Sequence, residues 1–412
     1  MPSDQRADVL IVGGGIIGLA TAWSARRRGM SVTVLERGRC GQATSRVAAG
    51  MLAPVMEVEF GEAGRRVLEL GMRSCELWPA FAAELSEAAE LEVALTTAGA
   101  IFVARDEDEA RELDRQLAFR QTLGLRVERL RASAARELEP ALAPSVRLAL
   151  AAPDDRAVDP RVVLVALRAA CEAAGVGLRE EVAVARVELD RDGASRRVRG
   201  VRLEDGELIG AGALVLATGP WSGAVEGLPP EARVPVRPVK GQILRLRDPA
   251  GPGLLRRAVR FEGGYVLPRP DGRYVLGGTV EERGFDLAPT AGGAYEMLRL
   301  ARELVPGVSE LEIEELSVGL RPGTPDNAPA IGPSTVEGLI WATGHYRNGI
   351  LLAPLTAELV TGLLEHGAAP PGTEELLAAA DPRRFDASGV NAAAALVEPA
   401  GAPFPPSIGA AS

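Results

Sequence analysis

The chain has 412 residues, 47% of them hydrophobic and 25% charged, and its formal net charge is −10. This composition is typical of a globular protein of about two domains, and the acidic balance argues against nucleic acid and anionic membranes as partners. Two histidines and three widely separated cysteines exclude a multi-histidine metal site, a zinc site and a disulfide framework.

The first predicted elements form a β-α-β unit. Residues 8–13 are a short apolar run ended by glycines, which predicts a buried parallel strand. A helix is predicted to follow as far as Arg28, and residues 31–35 predict the second strand. Farther along, the periodicity predicts helices at 63–90, 106–123, 160–174, 291–305 and 352–366 and strands at 96–104, 182–189, 198–203 and 213–217.

Between residues 235 and 280 the pattern changes to strands joined by turns. The Asp271-Gly272 pair is a strong signal for a β-hairpin. The block 313–351 then predicts another loop-and-strand unit. The tail 387–412 is rich in Ala, Pro, Gly and Ser, which predicts disorder.

These elements predict an α/β protein with two domains. The first is a discontinuous Rossmann-like domain formed by residues 1–85, 150–225 and 325–370. The second is an α+β substrate-binding domain built on an antiparallel sheet, and it combines residues 86–149 and 226–324.

The glycine-rich turn GGGIIG directly follows the first strand and opens the first helix. Gly13 permits the tight turn, Gly15 lets the backbone approach a pyrophosphate, and Gly18 lets helix and strand pack closely. Glu36 ends the second strand, about 20 residues farther on, where a carboxylate accepts the ribose hydroxyls. A carboxylate at this place disfavours a 2′-phosphate, so the pattern predicts a dinucleotide other than NADP.

Two later segments favour FAD over NAD. Residues 213–219 (ALVLATG) and 338–349 (GLIWATGHYRNG) each end a strand in a glycine turn. A chain that returns repeatedly to its nucleotide fold, around an inserted second domain, has the layout of FAD oxidoreductases.

Four segments carry a family resemblance: Thr44–Pro54 (TSRVAAGMLAP), Pro238–Gln242 (PVKGQ), Gly319–Gly332 (GLRPGTPDNAPAIG) and Gly344–Pro354 (GHYRNGILLAP). In them the chain resembles the D-amino-acid-oxidase-like family of FAD oxidoreductases, most closely its glycine oxidases of thiamine biosynthesis. The resemblance implies an FAD domain of the GR2 type. It also implies oxidation of glycine by O2 and water to glyoxylate, ammonia and H2O2, with hydride transfer from the α-carbon to flavin N5.

The resemblance also implies which residues contact the cofactor and the substrate. The cofactor residues are Gly13, Gly15, Ile16, Ile17, Gly18, Glu36, Arg37, Thr44, Ser45, Ala49, Gly50, Met51, Val184, Gly344, His345, Tyr346, Arg347, Asn348, Gly349, Ile350 and Leu351. The substrate residues are Arg321, Tyr265, Arg347 and Met51. Arg321 would bind the substrate carboxylate through two parallel hydrogen bonds. The flavin does the chemistry, so no catalytic residue is assigned.

The sequence departs from the family pattern at several positions. Related sarcosine oxidases attach flavin to a cysteine in the C-terminal third, and this chain has none after Cys171, which implies non-covalent FAD. Gly263 stands where the best-known relative has a histidine, and Val280 where it has a methionine. These two changes leave the choice between glycine, sarcosine and small D-amino acids open.

Several other charged residues are interpreted as structural. His345 is expected to be a structural or cofactor contact rather than a base, and Lys240 a structural residue. Glu57, Glu59 and Glu62 are expected to lie in a solvated loop rather than to bind a metal.

Two further classes of function stay open. One is an amino-acid dehydrogenase that passes electrons to a quinone or carrier instead of O2, and the other is a non-catalytic flavin-binding protein. The N-terminus does not resemble a signal peptide, and no apolar run approaches the ~20 residues of a membrane span. A cytoplasmic protein is therefore expected, and the resemblance implies a homo-oligomer.

Overall fold

The computed structural model describes residues 7–192 and 195–385. Its strands are β1 Ala7–Val12, β2 Val32–Leu35, β3 Met51–Leu52, β4 Leu95–Thr96, β5 Ala100–Ala104, β6 Glu128–Arg131, β7 Leu148–Ala152, β8 Arg156–Val158, β9 Gly177–Arg179, β10 Val184–Asp192, β11 Ser195–Leu203, β12 Leu208–Leu216, β13 Arg237–Arg247, β14 Ala258–Phe261, β15 Gly264–Pro268, β16 Arg273–Gly277, β17 Glu312–Gly323, β18 Ala330–Pro333 and β19 Leu339–Thr343. Its α-helices are α1 Ile16–Arg27, α2 Thr44–Val47, α3 Pro54–Glu57, α4 Glu62–Ala89, α5 Glu107–Thr122, α6 Ala132–Leu138, α7 Pro160–Ala174, α8 Ala291–Leu304, α9 Ala353–His366 and α10 Glu374–Ala379. Short 3-10 helices lie at Gly219–Ala224, Pro230–Ala232, Pro306–Glu310 and Pro382–Arg384.

The first sheet is built around β1. Strands β2 and β12 pair with β1 in parallel, β9 extends the sheet beyond β2, and β19 pairs in parallel with the end of β12. Val9 and Ile11 pack against helices α1, α7 and α9, whereas Leu10 and Val12 pack on the opposite face. Because both faces of β1 are covered, the strand is a continuous apolar run rather than an alternating one.

The second sheet has eight strands in the order β17-β13-β16-β15-β14-β5-β7-β6. Its pairs are antiparallel except for β5 with β14. The predicted Asp271-Gly272 hairpin is confirmed, since this pair joins β15 to β16. Helix α8 packs its apolar side chains into the core of this sheet. A third, small sheet has the order β3-β8-β4.

The predicted α/β class is confirmed, and one predicted strand is wrong. Residues 96–104 form two strands, because β4 belongs to the small sheet and β5 to the second sheet. The break falls at Gly99, whose φ is +83° and whose missing Cβ would come within 2.9 Å of Ala152 O. The division into domains stays a prediction, and the tail 387–412 lies outside the described residues. Within the described ranges, none of the helices combines the length and apolarity needed to cross a bilayer.

The short helix α3 is held by charged side chains from distant parts of the chain. The buried carboxylate of Asp155 accepts hydrogen bonds from Val55 N at 3.3 Å and Met56 N at 3.1 Å. The buried guanidinium of Arg120 donates to the carbonyl oxygens of the same two residues, each at 2.9 Å. Arg260 donates to Met56 O at 3.1 Å. The helix is therefore held in place although it has a single turn.

The Asp155 carboxyl makes the stability of the protein depend on pH. Burial raises its pKa to about 7, whereas an aspartate in an unfolded chain titrates near ~4. The folded state therefore binds this proton more tightly, and the contribution of Asp155 to the free energy of unfolding falls as pH rises from about 4 to about 7.

Substitution by asparagine tests this dependence. Between pH 5 and pH 8, the wild-type protein should lose roughly 2 to 3 kcal/mol more of its free energy of unfolding than Asp155→Asn does. Urea denaturation at the two pH values measures the difference. Asp154→Asn, at the exposed neighbouring position, is the control. Equal pH dependence in wild type and Asp155→Asn would contradict the assignment.

Candidate active site

The turn between β1 and α1 leaves no room for side chains. A Cβ on Gly13 would overlap a carbonyl oxygen just beyond β12, and a Cβ on Gly18 would overlap Gly13 O. A Cβ on Gly15 would lie 3.3 Å from Ser45 Oγ, which accepts a hydrogen bond from Ile16 N at 3.1 Å. Backbone therefore forms the surface at the N-terminus of α1, where a helix binds phosphate.

Glu36 lies beside this turn. Its Oε2 accepts from Gly14 N at 2.7 Å and its Oε1 accepts from Gly38 N at 2.9 Å. The carboxylate is thus fixed at the end of β2, and each oxygen keeps a lone pair for a further donor. Glu36 O accepts from Val182 N at 2.9 Å, which brings the start of β10 at Val184 to the same edge of the sheet.

Residues 44–51 are held against the second sheet. Thr44 Oγ1 donates to Leu320 O on β17 at 3.0 Å. The buried guanidinium of Arg245 donates to Arg46 O at 2.9 Å. Hydrogen bonds to charged donors are stronger than neutral ones, so these contacts restrain the backbone of the segment.

The same segment ends in a turn that requires glycine. Gly50 has a φ of +84°, and a Cβ there would overlap Val158 O. Ala49 O accepts a hydrogen bond from the buried guanidinium of Arg269. Met51 follows as the first residue of β3 and is half-buried. The chain therefore passes from α2 into β3 along one defined path.

The glycine turn at residues 344–351 joins β19 to α9. Leu351 O accepts hydrogen bonds from Ser74 Oγ at 2.6 Å and from Trp78 Nε1 at 2.9 Å, both on α4. Helix α9 begins two residues later, so its N-terminus, the positive end of the helix dipole, adjoins the turn.

The second sheet places Tyr265 and Arg321 on one face. A Cβ on Gly277, opposite Tyr265 in β16, would overlap the Tyr265 hydroxyl. A Cβ on Gly241 in β13 would overlap the Arg321 guanidinium. These two glycines therefore make room for the phenol and the guanidinium. Neither glycine was predicted from the sequence, although a glycine inside a strand is a signal for the close approach of another group.

The guanidinium of Arg321 is oriented by two carbonyls. Its Nη1 donates to Thr279 O at 3.0 Å and to Lys240 O at 3.3 Å. This arrangement keeps the Nε–Nη2 edge of the fork for a planar acceptor such as a carboxylate. Burial raises the pKa of Tyr265, and the nearby positive charge of Arg321 opposes that rise.

Arg347 is exposed and lies near this region. Its Nη1 is 4.0 Å from Glu59 Oε1, and its guanidinium is 5.2 Å from the centroid of the Tyr346 ring. It lines a surface depression together with Glu57 and Leu351. Arg347 also lies close enough to Arg321 to lower the pKa of that guanidinium, although burial is the larger cause.

The expectation that Glu57 lies in a solvated loop is wrong. Glu57 ends α3, and its Oε1 is 3.2 Å from Arg260 Nη1. Only 16% of each side chain is exposed. Within residues 7–192 and 195–385, no cluster of His, Cys, Asp and Glu has the arrangement of a metal site.

His345 is buried, and its Nε2 lies 3.0 Å from Thr356 Oγ1. Burial lowers the pKa of His345 to about 3. An imidazole with this pKa is neutral at physiological pH, and its Nε2 already has a hydrogen-bond partner. This environment fits a structural group of the turn rather than a base, and a contact of His345 with the cofactor stays a prediction.

The neutral state of His345 can be measured directly, because the chain has only two histidines. With histidine labelled on the ring carbons, the C2–H chemical shift of His345 should stay constant between pH 5 and pH 8. His345→Gln assigns the resonance, and the exposed imidazole of His366 gives the reference signal. A shift of the His345 resonance with a midpoint in that range would contradict the buried, neutral ring.

Fold and site together define a flavoprotein oxidoreductase. A family model described as "FAD dependent oxidoreductase" matches residues 8–363, and the chain belongs to this family. The family resemblance of the sequence is confirmed, and the cofactor is FAD. Three features fit an adenine dinucleotide: the turn at Gly13–Gly18 that presents backbone without side chains, the fixed Glu36 carboxylate and the N-terminus of α1.

Within the family the chain is similar to glycine oxidases. It is 36% identical over 366 residues to the glycine oxidase of Geobacillus kaustophilus (strain HTA426), covering 88% of this chain and 93% of that protein. A crystal structure of glycine oxidase from Geobacillus kaustophilus superposes with a TM-score of 0.79 at 35% identity, over 87% of this chain and 95% of that one. The chain is also 36% identical to the bifunctional protein ThiO/ThiG of Trichormus variabilis (strain ATCC 29413 / PCC 7937), and the match covers 87% of this chain and 52% of that protein.

Proposed function

We propose that the protein is an FAD-dependent amino-acid oxidase whose substrate is glycine, which it converts with O2 and water to glyoxylate, ammonia and H2O2. The observation that carries the proposal is the Arg321 guanidinium, seated in the hollow made by Gly241 and oriented by two carbonyls. The similarity to glycine oxidases supports the choice of substrate. The similarity to a ThiO/ThiG protein supports a role in thiamine biosynthesis.

The chain's own residues bind and orient the substrate. Arg321 receives the carboxylate in two parallel charge-assisted hydrogen bonds, which fix both the position and the plane of the carboxylate. Tyr265 donates a further hydrogen bond, because a phenol with a raised pKa keeps its proton. Arg347 adds positive charge nearby, and Met51 forms an apolar wall. Placement of the α-carbon is the protein's main contribution to the rate.

FAD, when bound, supplies the oxidation by accepting a hydride from the α-carbon of the amine and passing the electrons to O2. Gly13, Gly15 and Gly18 let the backbone approach its pyrophosphate, and Glu36 accepts the ribose hydroxyls. The N-terminus of α9 would stabilise negative charge on the flavin ring.

The other FAD contacts are proposed as the resemblance implies them, at residues Ile16, Ile17, Arg37, Thr44, Ser45, Ala49, Gly50, Met51, Val184 and 344–351. FAD is bound without a covalent bond. We further propose that the enzyme works in the cytoplasm and self-associates. Its three cysteines form no disulfide with one another, which is consistent with the cytosol, where thiols stay reduced.

Truncation of Arg321 tests the carboxylate anchor. Arg321→Ala should lower kcat/KM for glycine by about 100-fold or more, because two charge-assisted hydrogen bonds are lost. Oxidation of methylamine, which has no carboxylate, should change far less. Arg321→Lys should also be poor, since an ammonium cannot form the two-pronged contact. Arg247→Ala, at a partly exposed arginine of the neighbouring strand, is the control. Equal losses for glycine and methylamine would remove Arg321 from the site.

An oxygen-electrode assay of the purified protein tests the reaction itself. Glycine, sarcosine and small D-amino acids are compared, and we expect glycine to give the highest kcat/KM, with one H2O2 formed for each O2 consumed. Reduction of the flavin by glycine without O2 uptake would favour a dehydrogenase. A protein that none of these substrates reduces would favour a non-catalytic flavin protein.

A further inference from the structure

Residues 278–290 join β16 to α8, and we call this segment the strap. Its residue Thr279 lies beside the proposed substrate anchor, and its carbonyl accepts a hydrogen bond from Arg321 Nη1 at 3.0 Å. The second carbonyl on Nη1 is that of Lys240 on β13, at 3.3 Å. The orientation of the guanidinium therefore depends on where the strap lies relative to β13.

Lys240 ties the strap to β13. The backbone N–H and carbonyl of Lys240 exchange hydrogen bonds with Glu281 O and Glu281 N, each at 2.9 Å. Side chains alternate along a strand, so the side chain of Lys240 points to the face opposite to that of Gly241 and Arg321. There its Nζ donates to Asp286 Oδ2 and to Ala288 O, each at 2.6 Å.

A second side chain on the same face of β13 holds the end of the strap. Gln242 Nε2 donates to Glu281 Oε1 at 2.8 Å and to Thr290 Oγ1 at 2.9 Å. Gln242 Oε1 accepts from Thr290 N at 2.8 Å. Thr290 also caps α8, because its Oγ1 accepts from Gly293 N at 3.2 Å. The strap is thus fixed where it enters the helix.

The middle of the strap contacts the nucleotide-binding fold. The Phe285 ring stacks on the Trp221 ring, with centroids 6.2 Å apart and an interplanar angle of 15°. Trp221 follows β12, and the guanidinium of Arg37 lies 3.7 Å from the centroid of its ring. The strap therefore has a second anchor, which does not involve β13.

The buried ammonium of Lys240 couples the strap to β13. Only 1% of its side chain is exposed, and it is the only lysine in the chain. A buried ammonium is stable only when it is paired and hydrogen-bonded. Both partners of its Nζ lie on the strap, in Asp286 and Ala288. The strap therefore supplies both of the contacts that compensate for burying this charge.

We propose that Lys240 is a positioning residue for the substrate. Through Asp286 it holds the strap so that the Thr279 carbonyl fixes the Arg321 guanidinium in the plane that the substrate carboxylate needs. This inference rests on the proposed function of Arg321. It adds that the orientation of the Arg321 guanidinium depends on a side chain on the opposite face of the sheet. Lys240 touches neither substrate nor cofactor in this role.

Two strap substitutions test the proposal without emptying a buried site. Asp286→Ala removes the ionic partner of Lys240. Because 43% of the Asp286 side chain is exposed, water can replace the carboxylate at Lys240 Nζ, and the variant should fold. Phe285→Ala removes the other anchor. We expect the KM for glycine to rise about tenfold in each variant, with a smaller change in kcat, because the carboxylate anchor is misaligned. Asp286→Glu, which keeps the ionic partner, should restore most of the affinity.

The matched control is Glu282→Gln on the same strap. The Glu282 side chain is 62% exposed, and its carboxylate pairs with Arg237 at 3.2 Å rather than with Lys240 or Arg321. This variant should keep the wild-type KM. A binding assay gives a readout without turnover: acetate, a bare carboxylate, is titrated into the FAD-bound protein, and the change in the flavin spectrum is followed. Its Kd should rise about tenfold in Asp286→Ala.

A double-mutant cycle decides whether the effect passes through Arg321. In the Arg321→Ala background, Asp286→Ala should change the KM for glycine less than twofold. Wild-type KM and Kd in both strap variants, or the same tenfold rise in the Arg321→Ala background, would overturn the role of the strap while leaving the proposed function intact. If the wild-type protein neither oxidises glycine nor binds acetate, the proposed function is overturned, and the positioning role of Lys240 is overturned with it.

Discussion

The proposed chemistry depends on one packing constraint. The guanidinium of Arg321 lies where any residue other than glycine at position 241 of β13 would place its side chain. Arg321 occupies the space above Gly241, and carbonyls on both sides of that space take up its Nη1 donors. The same device shapes the cofactor end, where Gly13 and Gly18 remove the side chains that would separate helix from strand. At the substrate anchor and at the cofactor turn alike, the absence of a Cβ atom makes the space, and hydrogen bonds to the backbone hold Arg321 and Glu36 beside it.

Buried arginines stabilise the segments that lie between the cofactor turn and the substrate anchor. Arg245 and Arg269 donate to backbone carbonyls of residues 44–51, and Arg120 donates to those of α3. Arg245 and Arg269 also lie near carboxylates, at 3.9 Å from Glu315 and 4.0 Å from Asp159. At the proposed substrate position, Arg321 and Arg347 supply the positive charge that suits an anionic group. Glu57, paired with Arg260, is an acid within this region.

Local signals in the sequence were sufficient for the β-α-β unit, because strand, glycine turn, helix and Glu36 all lie within about 30 residues. Contacts between distant residues explain the failures. The break at Gly99 depends on Ala152, and the burial of Glu57 depends on Arg260. The role of Gly241 likewise becomes visible only once β13 and β17 are paired. The Arg321 motif was recognisable by resemblance, whereas the hollow that receives its side chain was not.

The most direct test of the central claim is an anaerobic titration of the purified, FAD-bound protein, in which the visible absorption of the flavin is followed as substrate is added. We expect glycine to bleach the flavin at concentrations at least tenfold below those that methylamine requires, because only glycine has a carboxylate for the guanidinium. A flavin that glycine leaves oxidised, or that both amines reduce equally well, would contradict the central claim.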